Sequence, residues 1–289
     1  MYSSATRIGL TAILLWSGLA LLTAASGTMP AFQLAAITFA IGGALGICYA
    51  IWQGRLSALR QPWPVWLLGA GGLFGYHALY FSALRQAPPA EAGLIAYLWP
   101  LLIVLLSAAL PGERLGIRHV AGATLGLAGV VTLIAGPKFL SGTGPAVEVG
   151  HLKGFGLALA CAFVWSIYSV LSRRFKSVPS EAVAGFCIVT ALLAALCHIL
   201  FETTVWPVQA SNWLAILGLG LGPVGLAFYT WDHGVKHGDI RFLGVASYAA
   251  PVLSTLVLVA AGLTVPSWTL ALACALIVAA AIVAKPKAG

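Results

Sequence analysis

The chain has 289 residues, of which 61% are hydrophobic and only 8% are charged, and its mean hydropathy is +0.99. Soluble domains carry about 25% charged residues, so this composition excludes an ordinary soluble globular domain. The net charge of +8 does not indicate a nucleic-acid surface, because the basic residues stand in ones, twos and threes between apolar runs. The composition is that of a polytopic membrane protein.

Apolar segments of about twenty residues recur along the chain, and each is long enough to cross about 30 Å of hydrocarbon as a helix. They predict an all-α fold of ten transmembrane helices. The segments are 6–26, 30–52, 64–86, 89–110, 117–135, 153–173, 180–201, 211–233, 241–262 and 265–284.

One connection stands out by its length and by its Gly, Pro, Ser and Thr content. We therefore divide the chain into a first five-helix unit at 1–137, a connecting loop at 138–152 and a second five-helix unit at 153–289.

The Lys and Arg residues fall unevenly on the alternate loops when the N-terminus is placed inside. Cytoplasmic loops carry an excess of Lys and Arg, so the bias predicts that both termini lie in the cytoplasm. We expect the membrane to be the inner membrane. Three basic residues are predicted outside: Arg85, Lys138 and Lys153. Twelve are predicted inside: Arg7, Arg55, Arg60, Arg114, Arg118, Arg173, Arg174, Lys176, Lys236, Arg241, Lys285 and Lys287.

The two halves share a sparse internal repeat. Shifting the second half by about 151 residues places Tyr248 on Tyr97 and Pro251 on Pro100, and a shift of about 149 places Trp165-Ser166 on Trp16-Ser17. Five helices is an odd number, so the second unit must enter the membrane upside down. Inverted repeats of this kind are typical of secondary transporters, whose substrate site lies near the bilayer midplane.

Aromatic and hydroxyl side chains mark the middle of several predicted helices. Tyr76, His77 and Tyr80 can share one broad helix face, and an ionisable His inside a membrane is a functional candidate. Such a lining would suit a flat, neutral, amphipathic solute, although the same rings would also suit simple packing. The candidate substrate-binding residues are Trp16, Ser17, Tyr76, His77, Tyr80, Tyr97, Trp99, Trp165, Tyr168, Ser169, Phe228, Trp231, Ser247 and Tyr248. The candidate hinge or gating residues are Gly93, Pro100, Gly244 and Pro251.

Several motifs carry a family resemblance over nearly the whole chain. The Gly112-Glu113 pair and the glycine-studded fifth helix, together with the five-plus-five repeat, resemble the EamA-type drug/metabolite transporter superfamily. The Tyr-His-x-x-Tyr and Tyr-x-Trp-Pro runs at 76–80 and 97–100 are similar to its aromatic amino acid exporters of the YddG type. The second half has Val265-Pro266 where the first has the acidic pair, which weakens any mechanism with symmetric gates.

The seven acidic residues all fall at predicted helix ends or in loops: Glu91, Glu113, Glu148, Glu181, Glu202, Asp232 and Asp239. Carboxylate-coupled antiport is therefore not supported, and facilitated diffusion or coupling through His77 stays open. The sequence has no nucleotide-binding Gly-x-x-x-x-Gly-Lys loop and no His-Glu-x-x-His metal motif, so we expect no cofactor, no metal and no enzyme activity.

The resemblance implies an exporter of aromatic and other hydrophobic neutral amino acids, working by alternating access through a central aromatic-lined cavity. We expect a monomer whose partners are a small-molecule substrate and lipid, with no nucleic acid. A broad exporter of drugs or purines is the alternative within transport. An intramembrane enzyme acting on a lipid-linked substrate and a non-transporting receptor are alternatives from other classes.

Overall fold

The structure is a computed structural model that describes residues 3–87, 89–111, 115–140, 149–263 and 265–284. Within these ranges the regular elements are helical. The fourteen α-helices are α1 (Ser4–Ser17), α2 (Leu19–Ala25), α3 (Ala31–Trp52), α4 (Trp63–Gln86), α5 (Pro89–Ala96), α6 (Trp99–Leu106), α7 (Ile117–Leu140), α8 (Leu152–Ser172), α9 (Val183–Phe201), α10 (Ala210–Leu221), α11 (Ala227–His237), α12 (Ile240–Ala246), α13 (Ala249–Ala260) and α14 (Trp268–Ala284).

The predicted all-helical membrane class is confirmed. Seven helical stretches in the described ranges are long and apolar enough to cross a bilayer, and three further apolar helices are shorter. The seven are 4–25, 31–52, 63–86, 152–175, 180–201, 210–237 and 240–260, and the shorter three are 99–109, 117–133 and 268–284. The predicted span 89–110 is divided between α5 and α6 because the helix breaks at Tyr97 and Leu98.

The outer surface of the helices is strongly apolar. Trp52 is 79% exposed, Ile199 is 76% exposed and Ile282 is 67% exposed. A soluble monomer rarely leaves large contiguous apolar patches in water, whereas hydrocarbon chains cover such a surface without cost. The apolar runs that identify the spans therefore have two roles, since one side of each helix faces the bundle and the other faces lipid.

Two helix breaks lie at corresponding places in the two halves. The first separates α5 from α6 at Tyr97 and Leu98, just before Pro100, and the second separates α12 from α13 at Ser247 and Tyr248, just before Pro251. Proline has no backbone N–H, so it removes one helical hydrogen bond and suits the first turn of a new helix.

The break before α6 is completed by a side chain from the other half of the chain. The Tyr248 hydroxyl, which is fully buried, accepts a hydrogen bond from the Leu101 amide at 3.1 Å. The first amides of any helix have no partner within the helix, so this hydroxyl satisfies a group that the break leaves open. Tyr248 thus links α13 to the start of α6.

A third irregularity lies between α10 and α11, where Gly222–Leu226 forms one π-helical turn. The turn approaches α3 so closely that a Cβ built on Gly42 would lie 2.8 Å from the Gly225 Cα. Only glycine on the facing positions permits this distance between two backbones.

The most extensive helix contacts join the two halves of the chain. Helix α3 packs against α9 and α7 packs against α14, while α4 packs against α8 and α11 packs against α1. The buried core that these pairs enclose contains most of the predicted site aromatics.

A polar network fixes one edge of the bundle. The Glu202 carboxylate after α9 accepts hydrogen bonds of 3.1 Å from the Phe32 and Gln33 amides in the first turn of α3. It also pairs with Arg85 on α4 and with His198. Burial alone would raise the pKa of Glu202, but these donors outweigh it and hold the pKa below its ordinary value.

Some sequence-based expectations concern residues that the structure does not describe. The Gly112-Glu113 pair, Arg114, Lys285 and Lys287 lie outside the described residues, and so does most of the predicted connecting loop, at 141–148.

Candidate functional site

Four indole rings form a compact group at the centre of the bundle. Trp16 and Trp99 come from the first half of the chain, and Trp165 and Trp231 come from the second. Their ring centroids lie 5.2–6.3 Å apart in all six pairings. Edge-to-face and offset contacts at such distances stabilise aromatic groups by about 0.5–1.5 kcal/mol per pair beyond area burial. We call these four side chains the indole cluster.

Two of the four indoles are fixed through their ring N–H groups. Trp16 Nε1 donates to the Pro223 carbonyl at 3.1 Å, in the π-helical turn. Trp231 Nε1 donates to the Ser169 hydroxyl at 3.1 Å, so Ser169 acts here as a partner of an indole. Trp16 is the only one of the four that is partly exposed; the other three are buried.

Trp99 is positioned by the backbone at the start of α6. Its carbonyl oxygen accepts a hydrogen bond of 2.9 Å from the Ser166 hydroxyl, which also donates to the Ala162 carbonyl at 2.7 Å. Ser166 was not among the predicted site residues, although the Trp-Ser match at 165–166 lay in the repeat. The sequence signal for it was therefore present.

A second layer of rings lies on one side of the indole cluster. Tyr76 stacks on Tyr80 with a centroid distance of 6.0 Å and packs against Trp165 at 5.3 Å. Phe228 lies 5.8 Å from Trp165 and 5.5 Å from Phe39, on which it stacks. Tyr76 and Tyr80 are partly exposed, so the described structure is more open on this side.

His77 joins this layer with one ring nitrogen already engaged. Its Nδ1 lies 2.7 Å from the Leu73 carbonyl, which can only accept, so Nδ1 must carry the proton. In the neutral ring Nε2 is then left as a hydrogen-bond acceptor. The ring edge packs against Phe39 at a centroid distance of 4.9 Å. His77 is thus a structural hydrogen bonder whose ring contacts Tyr76 and Phe228, both of which contact the indole cluster.

Several predicted residues do not join the cluster. Ser17 donates to the Leu14 carbonyl at 2.5 Å and Ser247 donates to the Leu243 carbonyl at 2.7 Å, so both hydroxyls bond within their own helices. Tyr97 and Tyr248 belong to a separate core group with Val130, Val252, Leu270, Ala273 and Ile277.

The predicted hinge residues lie at close contacts beside the two breaks. A Cβ built on Gly244 would lie 3.2 Å from the Pro100 carbonyl oxygen, and one built on Gly93 would lie 3.9 Å from the Tyr80 hydroxyl. Pro251 is buried three residues after Tyr248. The contact between Gly244 and Pro100 thus brings together the backbones beside the two breaks.

The expectation that every acidic residue lies at a helix end or in a loop is wrong for Asp232. Its side chain is 1% exposed within α11, and it forms an ion pair of 2.8 Å with Lys236, one turn later. Lys236 is equally buried, so it is not a loop charge as the topology count assumed. The Asp-x-x-x-Lys spacing was the signal that would have shown the pair.

A sequence profile of the EamA-like transporter family matches residues 6–135 and 152–284. The chain belongs to the EamA-like transporter family. The two matched segments together cover most of it, and the resemblance seen in the motifs is confirmed.

Several relatives of this EamA-like transporter are named as exporters. It is 65% identical over 283 residues to the protein named aromatic amino acid exporter YddG in Ancylobacter novellus, covering 98% of this chain and 97% of the relative. It is 27% identical over 283 residues to the protein of the same name in Escherichia coli, covering 91% of this chain and 92% of the relative. These names agree with the prediction that the chain is not an enzyme.

The fold also matches a solved structure. A crystal structure described only as that of a protein has a TM-score of 0.94 to this EamA-like transporter at 63% sequence identity, covering 99% of this chain and 97% of that one. The arrangement of helices described above is thus shared nearly end to end with a crystallised relative.

Proposed function

We propose that this protein exports aromatic amino acids, and other hydrophobic neutral amino acids, across the inner membrane. The observation that carries the proposal is the indole cluster, in which each half of the chain supplies two indoles to one central group. A planar aromatic ring can bind in such a group because it replaces a contact between two indoles with a contact of similar energy. The 65% identical relative is named as an exporter of this substrate class.

The ring of the substrate enters beside Trp16, the only partly exposed member of the cluster. The indoles fill the centre in the described structure, so a bound ring must move between Trp16 and its neighbours. The second layer supplies the polar contacts: His77 Nε2 accepts from the substrate ammonium, while the hydroxyls of Tyr76 and Tyr80 donate to its carboxylate. The remaining predicted residues, Ser17, Tyr97, Tyr168, Ser169, Phe228, Ser247 and Tyr248, support these contacts or guide the substrate toward them.

The architecture behind this activity is a pair of inverted five-helix repeats, at 1–137 and 153–289, with ten membrane crossings. Two features support it. The pairing of α4 with α8 corresponds under the repeat to the pairing of α11 with α1, and the helix breaks precede Pro100 in one half and Pro251 in the other. Inverted repeats with broken helices at the midplane are typical of secondary transporters.

Transport proceeds by alternating access. The segments around Gly93, Pro100, Gly244 and Pro251 act as hinges that open the indole cluster to one side of the membrane at a time. Tyr76 and Tyr80 lie on the predicted outer side of the cluster and are partly exposed, whereas Tyr168 is buried on the other side. This difference favours an outward-facing resting state.

The orientation follows from the basic residues, with both termini in the cytoplasm. Lys236 is buried and is therefore left out of the count of basic loop residues. Eleven basic residues remain on the predicted inside, against three on the predicted outside, Arg85, Lys138 and Lys153. The indole cluster is complete within one chain, so a monomer is sufficient for the activity.

The test uses purified protein in sealed liposomes that are preloaded with a mixture of amino acids. We expect faster loss of Phe, Tyr and Trp than of polar amino acids, with a strong reduction in Trp99→Ala and His77→Ala. Trp268→Ala is the matched control, because that indole is 59% exposed and lies away from the cluster. Equal retention of every amino acid by folded protein would refute the proposal, and the effect of an imposed pH gradient would decide between proton coupling and facilitated diffusion.

A further inference from the structure

A group of polar side chains lies inside the apolar bundle on the predicted cytoplasmic side of the indole cluster. Asp232 and Lys236 form its centre, with side chains that are 1% and 3% exposed. Removing two charges from water costs several kcal/mol per ion unless further hydrogen bonds compensate. Asp232 and Lys236 are therefore expected to form further hydrogen bonds besides their ion pair.

Both charges bond to the segment that joins α8 to α9. The Ser180 hydroxyl donates to Asp232 Oδ2 at 2.7 Å, and Lys236 Nζ donates to the Val178 carbonyl at 3.0 Å. The ion pair thus ties α11 to the chain between α8 and α9 by two bonds from separate residues.

Tyr168 places a buried hydroxyl beside the Asp232–Lys236 pair. The residue is 2% exposed, and its hydroxyl forms no hydrogen bond of normal length among the described residues, with Ser172 and Asp232 as its polar neighbours. A cavity of about 10 Å³ is lined by Tyr168, Ser172, Asp232 and Lys236 together with apolar side chains. That volume is about the smallest that holds one water molecule, and buried polar groups without a protein partner are commonly bonded to such a water.

We propose that one ordered water bonds Tyr168 to the Asp232–Lys236 pair, and that this hydrated group locks the cytoplasmic side of the transporter closed. The proposal rests on the alternating access proposed above. We call Tyr168, Val178, Ser180, Asp232 and Lys236 the polar lock. The ligand is water and not a metal cation, because the Lys236 ammonium already neutralises the carboxylate and would repel a second cation.

The position of the polar lock agrees with this role. Along α8, Ser172 lies seven residues beyond Trp165, which is about 10 Å at the rise of an α-helix. Tyr168 packs its ring on Trp165 at 5.3 Å and so connects the lock to the indole cluster. The opposite side of the cluster holds the partly exposed Tyr76 and Tyr80. A substrate that leaves toward the cytoplasm would have to pass the lock.

Two native cysteines provide reporters on opposite sides of the cluster. Cys187 lies near Tyr168, and Cys161 lies near Tyr76 and Tyr80, with its thiol within reach of a hydrogen bond to the Tyr76 hydroxyl. Both residues are fully buried. In proteins that retain only one of these cysteines, the rate of reaction with N-ethylmaleimide measures how often that side opens.

Tyr168→Phe removes the hydroxyl that holds the water, and the double variant Asp232→Asn with Lys236→Met removes the ion pair without leaving a lone charge. We expect Tyr168→Phe to raise the labelling rate of Cys187 about tenfold, the size expected for losing one buried hydrogen bond. The double variant changes the ion pair and both of its bonds to the segment between α8 and α9, so it should raise that rate at least as much. The labelling rate of Cys161 should not rise. Arg55→Ala is the matched control, since Arg55 is exposed and pairs with Glu181 on the same segment, and it should change neither rate.

Three results would overturn the proposal. An equal rise at Cys161 and Cys187 would show general loosening of the bundle, and unchanged rates in Tyr168→Phe would remove the role of the water. Protection of Cys187 by Na⁺ but not by choline would show a cation site. Labelling needs no substrate, so a failure to export aromatic amino acids would refute the proposed substrate and leave the lock standing.

Discussion

The hydrogen bond between Tyr248 and Leu101 permits a matched test of how the helix break is stabilised. Tyr248→Phe keeps the ring in its buried site and removes only the hydroxyl that accepts from the Leu101 amide. Tyr97 occupies the corresponding place in the first half and is only partly buried. The same substitution at Tyr97 is therefore a control for loss of a tyrosine hydroxyl as such.

The expected magnitude follows from the amide that remains. An unsatisfied buried donor costs about 1–3 kcal/mol, so Tyr248→Phe should lower the free energy of unfolding by that amount. For a chain of this size each kcal/mol corresponds to about 2–4 °C in the melting temperature. Tyr97→Phe should shift the melting temperature by less than about 2 °C, because the loss of a partly exposed hydroxyl changes stability little.

The assay is thermal unfolding in detergent followed by size-exclusion chromatography, combined with export from liposomes. Tyr97→Phe should retain stability while its export decreases, because Tyr97 is a proposed substrate-side residue. Tyr248→Phe should lose stability. Equal melting temperatures for the two variants would refute the reasoning, since the bond across the break would then have no measurable effect on the fold.

Three further predictions follow from described contacts. Trp16→Phe keeps a ring in the indole cluster but leaves the Pro223 carbonyl without its donor. We therefore expect the export rate of Phe from liposomes to fall about fivefold. An export rate equal to that of the wild type would contradict this prediction. Gly42→Ala places a Cβ 2.8 Å from the Gly225 Cα, so the melting temperature should fall by several °C. Gly54→Ala is the control, because that position is open; it should lower the stability only by the strain of an alanine at a φ of 66°. The lowered pKa of Glu202 stabilises the fold above the ordinary carboxyl pKa of 4.5, and that stability is lost as pH falls through the lower folded-state pKa. Glu202→Gln should therefore be less stable at pH 7 and lose less stability on acidification, and parallel curves for the two proteins would exclude this role.

The sequence was sufficient to predict the membrane class and the central aromatic residues. Their signals are local: long apolar runs identify the spans, and residues three or four apart in a helix share a face, as Tyr76 and Tyr80 do. The match of Trp165 to Trp16 identified two indoles that lie 5.9 Å apart in the fold.

Other parts of the site depended on information that one sequence does not hold. Phe39 stacks on Phe228, but a phenylalanine in an apolar run gives no sign of which neighbour it meets. The hydroxyls of Ser17 and Ser247 are satisfied by their own helices, a choice that is made by rotamer and not by residue type.

The burial of Asp232 was missed for a geometric reason. It lies near the end of an apolar run, where a charge usually reaches water. Here the chain between α8 and α9 folds back over α11 and encloses it, with Ser180 and Val178 as partners. Such enclosure depends on long-range packing and not on the local pattern.

The pairing of helices across the chain has a consequence for biosynthesis. The principal partner of α1 is α11, that of α3 is α9, that of α4 is α8 and that of α7 is α14. While the ribosome is still making the second half, the helices of the first half have none of these partners. The contacts between the halves can therefore form only as the second half is inserted, and the pairing of α7 with α14 only after α14 has been inserted.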